Sequence, residues 1–169
     1  MRPQPIAERD ALDGWMAAFD DSIRLRQVSD VPVGAFLSGG TDSSLVCAFY
    51  QKQNTRPIRS FTMGFDVAEY DETGYASAVA KVLHTDHKQF QATEAGAKAL
   101  VPDLVKFYDE PFAAGSVVPT LLLSKLVRQD VTVAMTGDGG DELFMGYGYY
   151  DFYTRAQNLV KRYGAAGTK

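Results

Sequence analysis

Val31-Pro32-Val33-Gly34-Ala35-Phe36-Leu37-Ser38-Gly39-Gly40-Thr41-Asp42-Ser43-Ser44 decides how the rest of this 169-residue chain is read. Its first half is apolar and β-branched, the make-up of a buried strand, and Ser44-Leu45-Val46-Cys47-Ala48-Phe49-Tyr50 has the make-up of a helix opening. The loop Ser38–Ser44 therefore joins the C-terminal end of a strand to the N-terminal end of a helix. Gly39 and Gly40 let the backbone approach an anion with no Cβ in the way, while the N–H groups of the first helical turn have no partner inside the helix. The hydroxyls of Ser38, Ser43 and Ser44 add donors around the same oxygens. Together these residues predict a phosphate cradle.

Asp42 inside such a loop is out of place unless a divalent cation bridges its carboxylate to the phosphates, so the loop predicts Mg²⁺ along with nucleotide. The pattern G-x-x-x-x-G-K-[ST] is absent and no lysine follows the glycine pair to reach a γ-phosphate, which disfavours kinase or GTPase chemistry. The competing account is a Gly-Ser turn in which Asp42 or Ser43 caps the helix for stability alone.

Outward from this stretch, strands and helices alternate. Leu12, Trp15, Met16, Phe19 and Ile23 recur at helical spacing and predict a packing helix ahead of the first strand. Ile58–Phe65 reads as a second strand, Tyr75–Leu83 as a helix, and His87–Thr93 as a third strand. Glu94–Tyr108 is predicted helical with Pro102 as an interruption, and Val117–Arg128 helical with Pro119 in its first turn. Val131–Met135 is a further apolar strand, and a second glycine-rich loop, Thr136-Gly137-Asp138-Gly139-Gly140-Asp141-Glu142, follows it. From about Asp151 a weaker helical pattern runs until Gly164. The rhythm implies a mostly parallel sheet with helices on both faces, and such α/β sheets bind ligands outside the carboxyl ends of their strands.

Composition narrows the classes. With 46% hydrophobic residues and a formal charge of -4, the chain is expected to form one globular domain over residues 1–169. It has no block of Lys and Arg, which disfavours nucleic acid as the main ligand and with it an enzyme acting on tRNA. Cys47 is the single cysteine, so there is no internal disulfide and a cytoplasmic, reducing location is expected. Its neighbours Leu45, Val46, Ala48 and Phe49 make it a buried apolar side chain instead of a nucleophile. His84 and His87 are expected to play a surface structural role, not to bind zinc. No apolar stretch approaches the roughly 20 residues a membrane span needs, and Met1–Pro5 has no signal-peptide core.

Four motifs in order resemble the synthetase domain of the glutamine-hydrolysing asparagine synthetase family: the opening stretch, Tyr70-Asp71-Glu72, Asp109-Glu110-Pro111-Phe112, and Gly137-Asp138-Gly139-Gly140-Asp141-Glu142. The resemblance covers the chain from about Leu12 to Tyr150. It implies an adenine nucleotide alpha hydrolase-like fold of the PP-loop type, and ATP with Mg²⁺ as cofactors. A small carboxylate, aspartate in that family, attacks the α-phosphate, pyrophosphate leaves, and ammonia converts the acyl-adenylate to an amide. By the same resemblance Leu37, Met63, Thr136 and Gly137 fall at adenosine-side contacts. Ser38, Gly39, Gly40, Asp42, Ser43 and Ser44 fall at the pyrophosphate and metal site, Asp42 and Asp141 are the metal candidates, and Asp138 is the catalytic candidate. Asp138, Asp141 and Glu142 would also suit a helix start, and Asp109 and Glu110 are open between ligand contact and capping. Pro111 is expected to fix its loop's backbone.

The chain departs from the family in several ways. Relatives begin with a glutaminase domain whose N-terminal cysteine releases ammonia; here Met1 is followed by Arg2, so ammonia is expected from a separate or missing domain. A lysine near the reacting carboxylate lies, in relatives, beyond the position of Lys169. The chain is thus expected to be a truncated piece or a standalone ATP-binding module, whose turnover is a separate question from its binding. Ala113-Ala114-Gly115-Ser116 and Met145 replace residues common in the family, which leaves the acceptor less defined than ATP.

Overall fold

The computed structural model describes residues 5–67, 71–110 and 114–164. Tyr70, the Pro111–Ala113 stretch with its expected rigid proline, and the last five positions lie outside the described residues. The chain divides into two compact units, Met1–Thr136 and Gly137–Lys169.

In the first unit a long helix α1 (Glu8–Arg26) precedes β1 (Val33–Phe36), α2 (Thr41–Lys52), β2 (Arg59–Phe65), α3 (Thr73–Leu83) and β3 (Asp86–Ala92). Then come α4 (Glu94–Leu100), a 3₁₀ turn at Val101–Asp103, α5 (Leu104–Phe107), α6 (Val117–Val127) and β4 (Val133–Met135). The four strands form one sheet in the order β3-β2-β1-β4, and every pairing is parallel. On one face Ala35, Leu37, Ile58 and Met135 pack with Val46, Cys47, Phe49 and Tyr50 of α2, Ala76 and Ala80 of α3, and Ile23 of α1. On the other, Phe61 packs with Val127 and Val131, joined by Phe36, Phe90 and Leu123 of α6. The expected α/β architecture, a parallel sheet with helices on both faces, is what the chain forms.

Sequence patterns locate most elements but misplace some ends. α2 begins at Thr41, three residues before the predicted opening, because Gly40 sits extended as its N-cap (φ -67°, ψ 162°) and the Ser44 N–H already donates to the Gly40 carbonyl at 3.0 Å. Asp42, Ser43 and Ser44 are therefore first-turn residues of the helix. β4 is shorter than its apolar run because the Val131 N–H is taken by the Val127 carbonyl (3.0 Å), which continues the end of α6. Pro102 interrupts the 94–108 helix as expected, by the 3₁₀ turn. On α1, Trp15 stacks on Phe19 at 5.2 Å and Phe19 meets Phe49 edge-on at 5.0 Å, so the aromatic stripe does pack. Leu12 and Met16 of the same pattern are exposed.

The second unit holds α7 (Gly140–Phe144) and α8 (Gly148–Tyr163), and neither contains a buried residue. The tail helix thus starts three residues before the predicted Asp151 and stops before Gly164 as expected. Tyr147 stacks on Tyr149 at 5.2 Å, and Tyr149 lies 4.5 Å from Tyr150.

Candidate functional site

Parallel strands put their C-terminal ends on one edge. Leu37 follows β1 and extends its ladder, its N–H donating to the Phe61 carbonyl of β2 at 2.8 Å. Met63 lies two residues further along β2, and Thr136 follows β4 on the other side of β1. Leu37 and Met63 are 1% and 8% exposed, so their side chains serve the core and it is their backbone that borders the edge.

The loop after Leu37 is tied by its own hydroxyls. The Ser38 N–H donates to Ser43 Oγ (3.2 Å), the two serine hydroxyls bond to each other at 2.9 Å, and the Gly40 N–H donates to Ser38 Oγ (3.2 Å). Ser43 Oγ also donates to the Gly40 carbonyl at 3.3 Å. Ser38 and Ser43 thus shape the loop, where the sequence suggested donors aimed outward. Ser44 Oγ is different: it is buried and has no hydrogen-bond partner among the described residues. An orphaned buried hydroxyl at the first turn of a helix is costly unless a further acceptor or donor reaches it.

Neither Asp42 nor Ser43 caps α2, whose N-cap is Gly40 with no side-chain bond to the first turn. The capping account of this loop is therefore not what the chain adopts, and the helix presents its first N–H groups and positive end uncapped. Gly39 has φ +86°, and a Cβ there would lie 2.5 Å from Tyr75 Cβ, 2.6 Å from the Tyr75 carbonyl carbon and 2.7 Å from the Ala76 nitrogen. Only glycine fits. At Gly40 a Cβ would meet nothing closer than Ser38 Oγ at 3.3 Å, so packing alone does not require glycine there.

Residues fit a phosphate group on three counts: an uncapped helix start, an orphaned Ser44 hydroxyl, and a backbone with little side chain over Gly40. For a cation the first unit offers Asp42, which is partly exposed beside the same turn. Among the described residues no three His, Cys, Asp or Glu side chains gather as a metal group. A Mg²⁺ held by one carboxylate, phosphate oxygens and water is within that ion's habits.

The second unit carries Gly137, Asp138 and Asp141. The Gly140 N–H donates to the Gly137 carbonyl (3.2 Å), Gly139 has φ +90°, and Gly139 is also the N-cap of α7 with no side-chain capping bond. Asp141 and Glu142 stand in the first turn of that helix, where the dipole favours them. The Asp141 carboxylate lies against Gly146, where a Cβ would collide with it. Glu142 accepts from the Tyr147 hydroxyl at 2.8 Å, and that bond pushes the phenol up to about 12.

Other residues singled out in the sequence lie elsewhere in the first unit. Asp109 and Glu110 are exposed and cap nothing, since α6 starts at Val117 behind Ser116. Cys47 is fully buried and burial pushes its thiol up to about 12, which makes it the inert apolar residue expected. His84 ends α3 in the left-handed region at φ 56°. His87 is not a surface group: it is half-buried, its Nδ1 lies 2.8 Å from Ser60 Oγ, its Nε2 is buried with no partner among the described residues, and burial lowers its pKa. Pattern reasoning also passed over Gly64, a lone glycine inside β2 that marks a close approach by Asp71 and Thr73.

Comparison with known proteins extends these observations. Residues 14–168 match the family model described as asparagine synthase. Over 128 residues the chain is 41% identical to putative glutamine-hydrolyzing asparagine synthetase 2 of Methanocaldococcus jannaschii, covering 75% of this chain and 25% of that protein. Over 133 residues it is 34% identical to glutamine-hydrolyzing asparagine synthetase 1 of Bacillus subtilis, covering 79% of this chain and 21% of that one. The chain spans about a quarter or less of the length of these relatives. Two solved structures share the fold, each with a TM-score of 0.52. The NH3-dependent NAD synthetase of Campylobacter jejuni is 18% identical, with 78% of this chain and 58% of that one covered. The NMN synthetase of Francisella tularensis is 16% identical, with 85% and 59% covered.

Proposed function

Because this chain belongs to the asparagine synthase family, we propose that it is the ATP-binding part of an amide-forming ligase, in which a carboxylate is activated by adenylation and then amidated by ammonia. The observation that carries this reading is the Ser38–Ser44 loop at the strand edge, with an uncapped α2 and an orphaned Ser44 Oγ.

In this reading the backbone N–H groups of Thr41 and Asp42 and the Ser44 hydroxyl hold the β- and γ-phosphates of ATP. Asp42 would hold Mg²⁺ together with phosphate oxygens and water, and the ion would neutralise the phosphate charge; Asp141 is the metal candidate of the second unit. The substrate carboxylate oxygen forms a bond to the α-phosphorus as the bond to the bridging oxygen of pyrophosphate breaks. Ammonia nitrogen then bonds to the acyl carbon and AMP departs with the carboxylate oxygen. This chain's contribution is to fix the leaving group and keep the α-phosphorus accessible, the positioning and electrostatic part of such catalysis. Asp138 is assigned to the reacting carboxyl centre, Leu37, Met63, Thr136 and Gly137 border the adenosine, and aspartate is the acceptor that the relatives' names suggest.

Pyrophosphate release is the test, with ATP, Mg²⁺, aspartate and ammonium. The reading expects release that depends on aspartate and falls at least about a hundredfold in Asp138→Ala, with ATP affinity retained in that variant. Binding without any release would leave an ATP-binding module and contradict turnover by this chain. Release unchanged in Asp138→Ala would remove that residue from the chemistry.

A further inference from the structure

We propose that Asp71 is a positioning residue for the phosphate loop, acting through the first turn of α3; this rests on the reading of Ser38–Ser44 as that loop. The side chain of Glu72, the N-cap of α3, makes no capping bond. Asp71 does this work from one residue earlier, its Oδ1 accepting from the Thr73 N–H at 3.2 Å and its Oδ2 from the Thr73 hydroxyl at 3.0 Å. The turn so fixed lies on β2 at Gly64, where a Cβ would come within 2.7 Å of Gln91 Oε1 on β3, 2.8 Å of Thr73 Cγ2 and 3.1 Å of Asp71 Oδ1. Two residues on, the backbone of Tyr75 and Ala76 is the surface against which Gly39 rests. β3 steadies the same turn, with Gln89 Nε2 donating to Ser77 Oγ while Ser77 Oγ donates to the Thr73 carbonyl at 2.7 Å.

Residues 71–76 therefore run from one glycine to the other. Gly64 sets how close the turn comes to the sheet, Asp71 sets where the helix begins, and Gly39 transmits that position to the loop. No atom of Asp71 needs to touch nucleotide for this. Asparagine in its place retains an oxygen for the Thr73 N–H and an amide for the Thr73 hydroxyl, so the role depends on hydrogen bonding and not on charge.

The test compares Asp71→Ala, Asp71→Asn and Thr93→Ala in the whole chain. Thr93 caps α4 by accepting from the Gly96 N–H at 3.1 Å, so its loss removes a bond of the same kind away from the loop. Two quantities are read: amide hydrogen exchange at Gly39–Thr41 without ligand, and the Kd for ATP with Mg²⁺. Asp71→Ala is expected to speed exchange and raise Kd by about five- to tenfold, with Asp71→Asn and Thr93→Ala within about twofold of the parent. Unchanged exchange in Asp71→Ala overturns the proposal. So does failure of Asp71→Asn equal to that of alanine, which would mark a charge or metal role, and so does an equal effect of Thr93→Ala, which would mark general loss of stability. If the parent chain binds no ATP, the phosphate-loop reading fails by itself, and the exchange rates still decide whether Asp71 holds the loop.

Discussion

Gly39 and Gly139 share a positive φ, +86° and +90°, in glycine-rich loops that follow the paired strands β1 and β4. Their surroundings differ. Gly39 rests against the backbone of α3 inside a unit with a core on both faces of its sheet, while a Cβ at Gly139 would meet nothing within 4 Å, in a unit with no buried residue in either helix. The first loop is held both by its own serine bonds and by packing against α3; the second has only its own turn and helix start. A similar run of glycines and acids in sequence can thus stand for two degrees of pre-organisation.

The largest difference should appear when the same side chain is placed at both glycines. Gly39→Ala is expected to cost about 3 kcal/mol, combining overpacking against Tyr75 and Ala76 with an unfavourable φ. Gly139→Ala carries only the backbone term, about 1 kcal/mol. Urea unfolding measures both, and equal costs would mean that α3 does not hold the first loop.

The units should also respond differently to pH. Burial lowers the pKa of His87 below its ordinary 6.5, so the unfolded chain binds the proton more readily than the folded one. The contribution of neutral His87 is complete above pH 6.5 and is lost as pH falls from there through the lowered folded value. Melting curves between pH 8 and 5 should show this decline, and His87→Gln should flatten it. A decline of the same size in the variant would place its cause elsewhere.

The smallest effect belongs to the second unit. Tyr147, pushed up to about 12 chiefly by its bond to Glu142, should titrate closer to 10 in Glu142→Ala, followed by phenolate absorbance. Both groups are at the surface, so the melting of the first unit should not move. A shifted melting temperature there would show that this surface bond bears on the stability of the first unit.

Much of the first unit is legible in the sequence because its strands and helices are set by apolar runs whose partners lie in the same unit. Phe61, Leu37 and Cys47 are buried where their patterns place them. What pattern does not carry is the detail fixed by tertiary contact: that α2 starts at Thr41, that Ser38 and Ser43 bond to each other, and that Gly64 admits Asp71 and Thr73. The burial of His87 escapes the pattern for the same reason, since its alternating strand context gives no sign of the Ser60 hydroxyl that receives it. In α8 the exposed Phe152, Tyr153 and Leu159 show the reverse case, apolar spacing without a core beneath it.

On this reading the Ser38–Ser44 loop is a preformed phosphate site that works with a cation at Asp42. Calorimetric titration of ATP into the chain, with Mg²⁺ and again with EDTA, and repeated on Asp42→Ala, addresses it most directly. Binding with Mg²⁺ should weaken at least about tenfold in EDTA and in Asp42→Ala alike. Binding that is indifferent to both, or no binding at millimolar ATP, would contradict it.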